Sequence, residues 1–172
     1  MTKIIRYAQG DSSLGTFVSA LSDRGLVMME FGDLEGALLD GVRVRCPEAD
    51  LVHDPAFMQA TLTRLTELIE HPEAELDLPL DMRGTEFELR IWNALREIPA
   101  GQTVNYGEIA AKIGSPRDAR EVAEACAANT LAVIIPCHRV VKKDGSISGY
   151  RWGFKRKRAL IEREHRALFQ PA

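Results

Sequence analysis

The sequence predicts an α/β (α+β) protein, with a small N-terminal antiparallel sheet and its helices followed by a mainly helical second domain. Three observations carry that reading. Ile4 to Tyr7, Gly15 to Leu21 and Gly25 to Phe31 are short apolar or β-prone runs, broken by Gly10-Asp11-Ser12-Ser13 and by Ser22-Asp23-Arg24. From residue 85 onward the apolar residues recur at helical rather than alternating intervals. The 172 residues, 45% of them hydrophobic, suffice for one good core or two small ones.

After the third strand, Asp33 to Leu39 reads as a helix, and Asp54 to Ile69 as a longer one. In the latter, Pro55 sits just inside the start and Phe57, Leu62, Leu65 and Leu68 supply an apolar face, until Pro72 stops it. Glu75 to Met82 is extended and acidic and Gly84 ends it, which places the domain boundary after residue 83, with domains over 1–83 and 84–172. The second domain opens on capping-box spacing at Thr85 and Glu88, followed by Phe87, Ile91 and Leu95 at helical intervals up to Pro99. Gly101 turns the chain. Tyr106 to Ile113 is a short helix, Gly114-Ser115-Pro116 a tight break, and Arg117 to Ala128 a second helix: helix-turn-helix spacing. Such a pair also occurs in proteins that never touch DNA, so the spacing alone does not decide.

In the second helix Ala119, Val122 and Cys126 form a core stripe, while Arg120, Ala123 and Ala127 form a face of small side chains led by one long cation. That face suits the minor groove, which is only about 6 Å wide. It is equally the composition of an alanine-rich packing helix.

Composition sets limits. No stretch approaches the roughly 20 apolar residues of a membrane span, and MTKIIRYAQG lacks the apolar run of a secretory signal, so an intracellular, cytoplasmic protein without membrane attachment is expected. Cys46, Cys126 and Cys137 are odd in number and widely spaced, so free thiols are expected. Cys46 with His53 gives two donors, too few for a tetrahedral zinc site. The net charge of −3 and pI near 5.8 argue mildly against nucleic acid. The distribution argues back: Lys142, Lys143, Arg151, Lys155, Arg156, Lys157 and Arg158 stand against Asp144 alone within 142–158.

Leu131 to Ile135 reads as a buried strand running into Pro136-Cys137-His138-Arg139-Val140. A thiol with a pKa near 8.5 is a poor nucleophile until a base or a positive charge favours thiolate, and a neighbouring imidazole can take that proton directly or through one water. Glu164 is a candidate to orient such an imidazole. An adjacent Cys-His pair can also be structural, and neighbours on a strand face opposite ways.

These residues carry a resemblance. Pro136-Cys137-His138-Arg139-Val140 resembles the acceptor motif of the O6-alkylguanine-DNA alkyltransferases. Order and spacing agree with bacterial members, above all the methyltransferase half of the Ada type. The agreement runs from Asp81-Met82-Arg83-Gly84-Thr85 through Tyr106, Arg120, Asn129 and the acceptor motif to Ser148-Gly149-Tyr150-Arg151-Trp152-Gly153 and Glu164. Arg6-Tyr7 and the strands around Gly25 are similar less specifically, so the resemblance covers nearly the whole chain.

The resemblance implies a ribonuclease H-like first domain and a winged-helix-like second one. It implies stoichiometric transfer of an alkyl group from O6 of guanine, and from O4 of thymine, to Cys137 after base flipping, with neither metal nor cofactor. The partner it implies is double-stranded DNA bearing O6-alkylguanine, bound by a monomer. It makes His138 the water-mediated base, Glu164 its orienting partner and Asn129 the hinge to the acceptor loop. Tyr106 presses on the phosphate beside the lesion, Arg120 fills the vacated stack, and Ala119, Ala123 and Ala127 of the same helix meet DNA. Tyr150, Ser148, Gly149, Val140 and Arg139 line or flank the guanine pocket. Flipping costs a few kcal/mol.

The chain departs from the family at Glu121 and Glu124, where small residues are usual, at Thr130, where some members have proline, and at Asn105, where serine is frequent. The two carboxylates are expected to weaken DNA binding, and Glu124, one turn from Arg120, to hold that cation back. Alkyltransferase-like proteins, which bind lesions without transfer, lack the acceptor cysteine that is present here. A Cys-His hydrolase would need an oxyanion-hole motif, and none is found. The zinc-binding, methyl-sensing module of Ada-type regulators has no counterpart in these residues. Trp92 is expected in the core and Trp152 beneath the pocket loop.

Overall fold

The computed structural model describes residues 3–114 and 119–169, which fall into two compact units. The first comprises the residues up to Glu70 together with Glu75–Arg83 and Thr130–Ala132.

Strands β1 (Lys3–Ser12), β2 (Gly15–Leu21) and β3 (Leu26–Phe31) form the expected antiparallel meander, and a fourth strand, β4 (Ala49–His53), adds in parallel beside β1 to give the order β3-β2-β1-β4. The sheet is therefore mixed rather than antiparallel. The expected helix over Asp33 to Leu39 lies later, as α1 (Leu38–Arg45). The cause is local: Asp33 Oδ1 accepts from the backbone N–H groups of Glu35 (3.0 Å) and Gly36 (3.1 Å), a side-chain turn that competes with helical bonding. Leu39 and Val42 of α1 then cover Ile5, Val18, Ala20, Val27 and Met28 of the sheet, and the chain leaves the helix in the direction that makes β4 parallel.

Helix α2 (Pro55–Glu70) buries Met58, Leu62, Leu65, Leu68 and Ile69, close to the expected stripe, while Phe57 stays exposed. The extended segment before residue 84 is held backbone to backbone: Leu26 N–H donates to Pro79 O (2.9 Å) and Asp81 N–H to Leu26 O (2.9 Å). Gly25, with φ +147°, is required there, because a Cβ would collide with the Pro79 carbonyl. Thr130–Ala132 rejoins this unit by pairing with Met29, whose N–H donates to Thr130 O (2.9 Å) and whose carbonyl accepts from Ala132 N–H (2.8 Å).

The second unit comprises His71–Ala74, Gly84–Asn129 and the residues from Val133 on. Helix α3 (Glu86–Arg96) starts on a complete capping box between Thr85 and Glu88. Its Trp92 is fully buried, as expected, and Nε1 donates to Ala125 O (2.9 Å). A two-residue strand β5 (Val104–Asn105) leads into α4 (Tyr106–Lys112), capped in the same reciprocal way by Asn105 and Glu108. Asn105, the departure from the usual serine, thus supplies an equivalent cap. Gly114, at φ +74°, ends α4. The rest of the expected break, Ser115-Pro116, and the expected helix start at Arg117 lie outside the described residues.

Helix α5 (Ala119–Ala127) packs on α3 and α4 through Val122, Ala125 and Cys126. Ala119, read as part of the core stripe, is exposed, and Ala125 takes its place. Strand β6 (Val140–Val141) pairs in parallel with β5, and α6 (Phe154–Phe169) packs on the turn before β6. No helix among the described residues is long and apolar enough to cross a membrane.

Candidate active site

The chain approaches Cys137 through turns rather than a strand. Leu131 makes one bridge, and then Ala132 to Ile135 turn and bend while staying largely buried. Val133 has φ +70°, a left-handed conformation that is costly for a β-branched residue and is held by its buried surroundings. Cys137–Arg139 form one 3-10 turn, with Cys137 N–H on Ile135 O (2.8 Å) and Arg139 N–H on Pro136 O (2.9 Å). Apolar content alone does not separate such a loop from a strand. The difference matters, because successive residues of a 3-10 turn lie about 120° apart and are not forced onto opposite faces.

Asn129, immediately after α5, fixes this loop. It is fully buried, and its Nδ2 donates both to Ile135 O (3.1 Å) and to Cys137 Sγ (3.3 Å). One side chain therefore holds the loop backbone and the sulfur in register.

His138 is also fully buried. Its Nε2 is 2.7 Å from Glu164 Oε1, on α6, which leaves Nδ1 buried and without a hydrogen-bond partner among the described residues. An Nε2–H donated to the carboxylate makes Nδ1 the lone-pair nitrogen, the form in which imidazole accepts a proton. Arg139 completes the cluster: Nε donates to both Glu164 oxygens (3.0 and 3.1 Å), Nη2 to Oε1 (2.8 Å) and Pro72 O (3.3 Å), and Nη1 to Ile98 O (2.7 Å).

The electrostatics follow from this geometry. Burial opposes charge on Glu164, but the His138 and Arg139 hydrogen bonds outweigh it and hold the carboxyl below its ordinary range. For His138, burial outweighs the attraction of Glu164, so the imidazole is held neutral, below its ordinary value. Burial raises the Cys137 pKa despite the Asn129 hydrogen bond and the nearby Lys157 charge, so the resting group is a thiol.

Cys137 opens onto a cavity of about 490 Å³, walled by Tyr106 and Ser148, by Ala123 and Ala127 of α5, and by Tyr150. Gly149 is also on its wall, while Lys142 and Arg151 bring positive charge to the lining. Tyr106 OH lies 2.5 Å from Ser148 Oγ, which also accepts from Lys157 Nζ (2.8 Å). The Tyr150 hydroxyl is buried without a partner among the described residues. Trp152 meets the Tyr150 ring edge-on at 5.0 Å, in keeping with the expected position under the loop.

Two residues expected at the pocket stand elsewhere. Arg139 turns to Glu164, and Val140 is a core residue whose carbonyl accepts weakly from Ser148 Oγ (3.4 Å). Neither lines the cavity. Arg120 is largely exposed at the start of the described part of α5, 3.6 Å from Glu124, and Glu121 is exposed beside it.

Sequence reasoning missed two residues. Lys157, fully buried beside Ser148 and the Gly149 carbonyl (3.3 Å), was counted only as part of a basic stretch. A signal was available, since Lys157, Leu160 and Glu164 fall three and seven residues apart on one face of α6. Cys126 was assigned to the core, and it also lines the cavity with Cys137.

The sequence model for the family described as 6-O-methylguanine DNA methyltransferase, DNA binding domain, matches residues 86–166. The methylated-DNA--protein-cysteine methyltransferase of Methanosarcina barkeri is 36% identical over 158 residues, covering 92% of this chain and 96% of that protein. The chain belongs to the O6-alkylguanine-DNA alkyltransferase family.

Other alkyltransferases agree in fold and in sequence. The crystal structure of Mycobacterium tuberculosis OGT in complex with DNA superposes with a TM-score of 0.76 at 36% identity, covering 94% of this chain and 92% of that one. The bifunctional transcriptional activator/DNA repair enzyme Ada of Escherichia coli is 44% identical over 160 residues, 93% of this chain. This alkyltransferase chain spans only 45% of the Ada protein's length.

Proposed function

We propose that this alkyltransferase repairs DNA directly, moving a methyl or other alkyl group from O6 of guanine, and from O4 of thymine, onto Cys137 in a single irreversible turnover. The observation that carries the reading is a cysteine on the wall of a cavity, its sulfur held by Asn129, next in sequence to a buried neutral imidazole whose far nitrogen is bound to a carboxylate. A methyl carbon offers no carbonyl to polarise, so the reaction needs only an in-line sulfur, somewhere for its proton to go and a leaving base.

His138 Nδ1 takes the thiol proton through one water, because Nε2 is committed to Glu164. The cost of forming a thiolate in a buried site falls to the moment of reaction, and the Lys157 charge and Asn129 Nδ2 reduce it. As the S–C bond forms, the C–O6 bond breaks, and the proton held by His138 ends on N1 of the departing guanine. Atoms balance without cofactor or metal, and the thioether has no route back. Glu164 acts through His138, and Arg139 acts through Glu164 as a positioning residue rather than as a pocket wall.

A base can enter this cavity only by leaving the duplex. Tyr106, which lines the cavity beside Ser148, meets the phosphate beside the extruded nucleotide, and Arg120, exposed on α5, fills the vacated stack. Ala119, Ala123 and Ala127 give α5 the slim face that a minor groove accepts. The unit that carries α5 and Cys137 is thus the DNA-engaging one. The chain corresponds to the methyltransferase half of Ada, and it acts on intracellular duplex DNA as a monomer. Cys137 itself disfavours a lesion-binding role without transfer.

The test is a repair titration on duplex DNA in which a single O6-methylguanine blocks a restriction site. Restored sites are expected to level off at one per protein molecule. Continued turnover would overturn the single-use account, and no restoration would overturn the reaction.

A further inference from the structure

Cys126 has no part in that reaction, yet it faces the same cavity. It lies in the last turn of α5, buried, and lines the cavity together with Ala123, Ala127 and Cys137. Ionisation of either sulfur would raise the pKa of both Tyr106 and Lys157, which places the two thiols in one electrostatic neighbourhood.

We propose that Cys126 is a second acceptor, which closes a dithioether bridge to Cys137 whenever the transferred alkyl group carries its own leaving group, as a 2-haloethyl group does. How such a group reaches Cys137 from DNA rests on the reaction proposed above; the bridging step rests on the shared cavity.

The chemistry is ordinary displacement. Once Cys137 carries a 2-haloethyl thioether, its sulfur expels the halide and closes a three-membered sulfonium ring. Left in an open site, that ring alkylates water or DNA. On the α5 side of the cavity Ala123 and Ala127 carry no nucleophile and Cys126 does, and its sulfur attacks a ring carbon: a second S–C bond forms, the ring C–S bond to Cys137 sulfur opens back to a thioether, and the Cys126 proton leaves to solvent. Two thiols and one dihalide give one dithioether and two hydrogen halides, with no oxidant. Burial keeps Cys126 in its thiol form, a weaker nucleophile than thiolate but a stronger one than the water that competes for the same cationic carbon. A two-carbon bridge also avoids the sulfur–sulfur contact of about 2 Å that a disulfide demands. Confinement of both groups in one cavity raises the effective concentration far above that of any solute. The electrophile is thereby consumed inside the protein before it can cross-link the protein to DNA.

The test treats the intact protein with 1,2-dibromoethane and maps the peptides by mass spectrometry, beside a parallel sample given an O6-methylguanine duplex. The expected product joins the Cys126 and Cys137 peptides through C2H4 with both bromines lost, and Cys126→Ser gives Cys137 carrying a single hydroxyethyl group. A wild-type product with only Cys137 modified and Cys126 free, or a bridge to Cys46, overturns the proposal. The duplex sample reads methyl transfer separately, so a failed bridge with Cys137 methylated refutes the second acceptor alone, whereas an unmethylated Cys137 refutes the underlying reaction.

Discussion

Replacing Arg139 by alanine removes five hydrogen bonds at once, three to Glu164 and one each to Ile98 O and Pro72 O. The Glu164 side chain is 2% exposed and that of Arg139 11%, so water cannot easily replace the lost partner. Breaking a buried ion pair on one side costs about 3–5 kcal/mol, because the remaining charge is left uncompensated. His138 still donates to the carboxylate, which keeps the loss within that range instead of adding a second orphan. For a chain of this size each kcal/mol lowers the melting temperature by about 2–4 °C, so Arg139→Ala is expected to melt roughly 6–20 °C below the parent. Arg139→Lys keeps a charge but loses the fork and falls between the two. The assay is thermal unfolding followed by circular dichroism at neutral pH. A decrease smaller than about 2 °C for Arg139→Ala would refute the claim that this fork stabilises the Glu164 cluster.

Three further outcomes are expected. Glu121→Ala with Glu124→Ser removes two exposed carboxylates from α5 and is expected to tighten duplex binding several-fold at low salt, with the gain fading as salt screens it; unchanged anisotropy titrations at low salt contradict this. Arg120→Ala is expected to slow transfer from duplex DNA on the order of tenfold or more, the equivalent of losing about 1.4 kcal/mol from a flipping step. Transfer from the free base O6-methylguanine serves as the control, and equal slowing of both reactions removes the stacking role. Stability is expected to be greatest between about pH 6.5 and 9. His138 is depressed below its ordinary 6.5, so the unfolded chain takes up more protons as pH falls beneath that value and stability declines, with Glu164, also depressed, adding its loss at lower pH. Cys137 is raised above its ordinary 9.0, so the unfolded chain loses its proton first and stability declines again in alkali. Urea midpoints that rise on acidification from pH 6.5 to 5 would contradict the assignment for His138.

Much of this was legible in the residues, and the misses have physical causes. The three-stranded meander, the Thr85–Glu88 cap and the burial of Trp92 are local or strongly patterned features, and the structure shows each of them. β4 was not read, because Ala49–His53 is short and its strand character comes from pairing with β1, a long-range partner invisible in a window of five residues. The helix read over Asp33 to Leu39 failed through the Asp33 side-chain turn, a competition between side chain and backbone that apolar spacing does not record. At the candidate site, the motif names Cys137 and His138, but Leu131 to Ile135 looked like a strand because burial on all sides leaves no periodicity. Arg139 was read toward the pocket since its number says nothing about which way a fork turns. Lys157 was hidden among exposed cations of the same composition, and only its register with Glu164 on α6 distinguishes it.

The central claim is that an alkyl group moves from DNA to one particular sulfur. The direct measurement mixes the protein with an equimolar duplex carrying a single O6-methylguanine, digests the product and maps its peptides by mass, beside Cys137→Ala treated in the same way. The account predicts one methyl group on the Cys137 peptide, unmodified guanine in the DNA, and no transfer in the variant. Methyl found on Cys126 or Cys46, or a lesion left intact while the duplex stays bound, would contradict it.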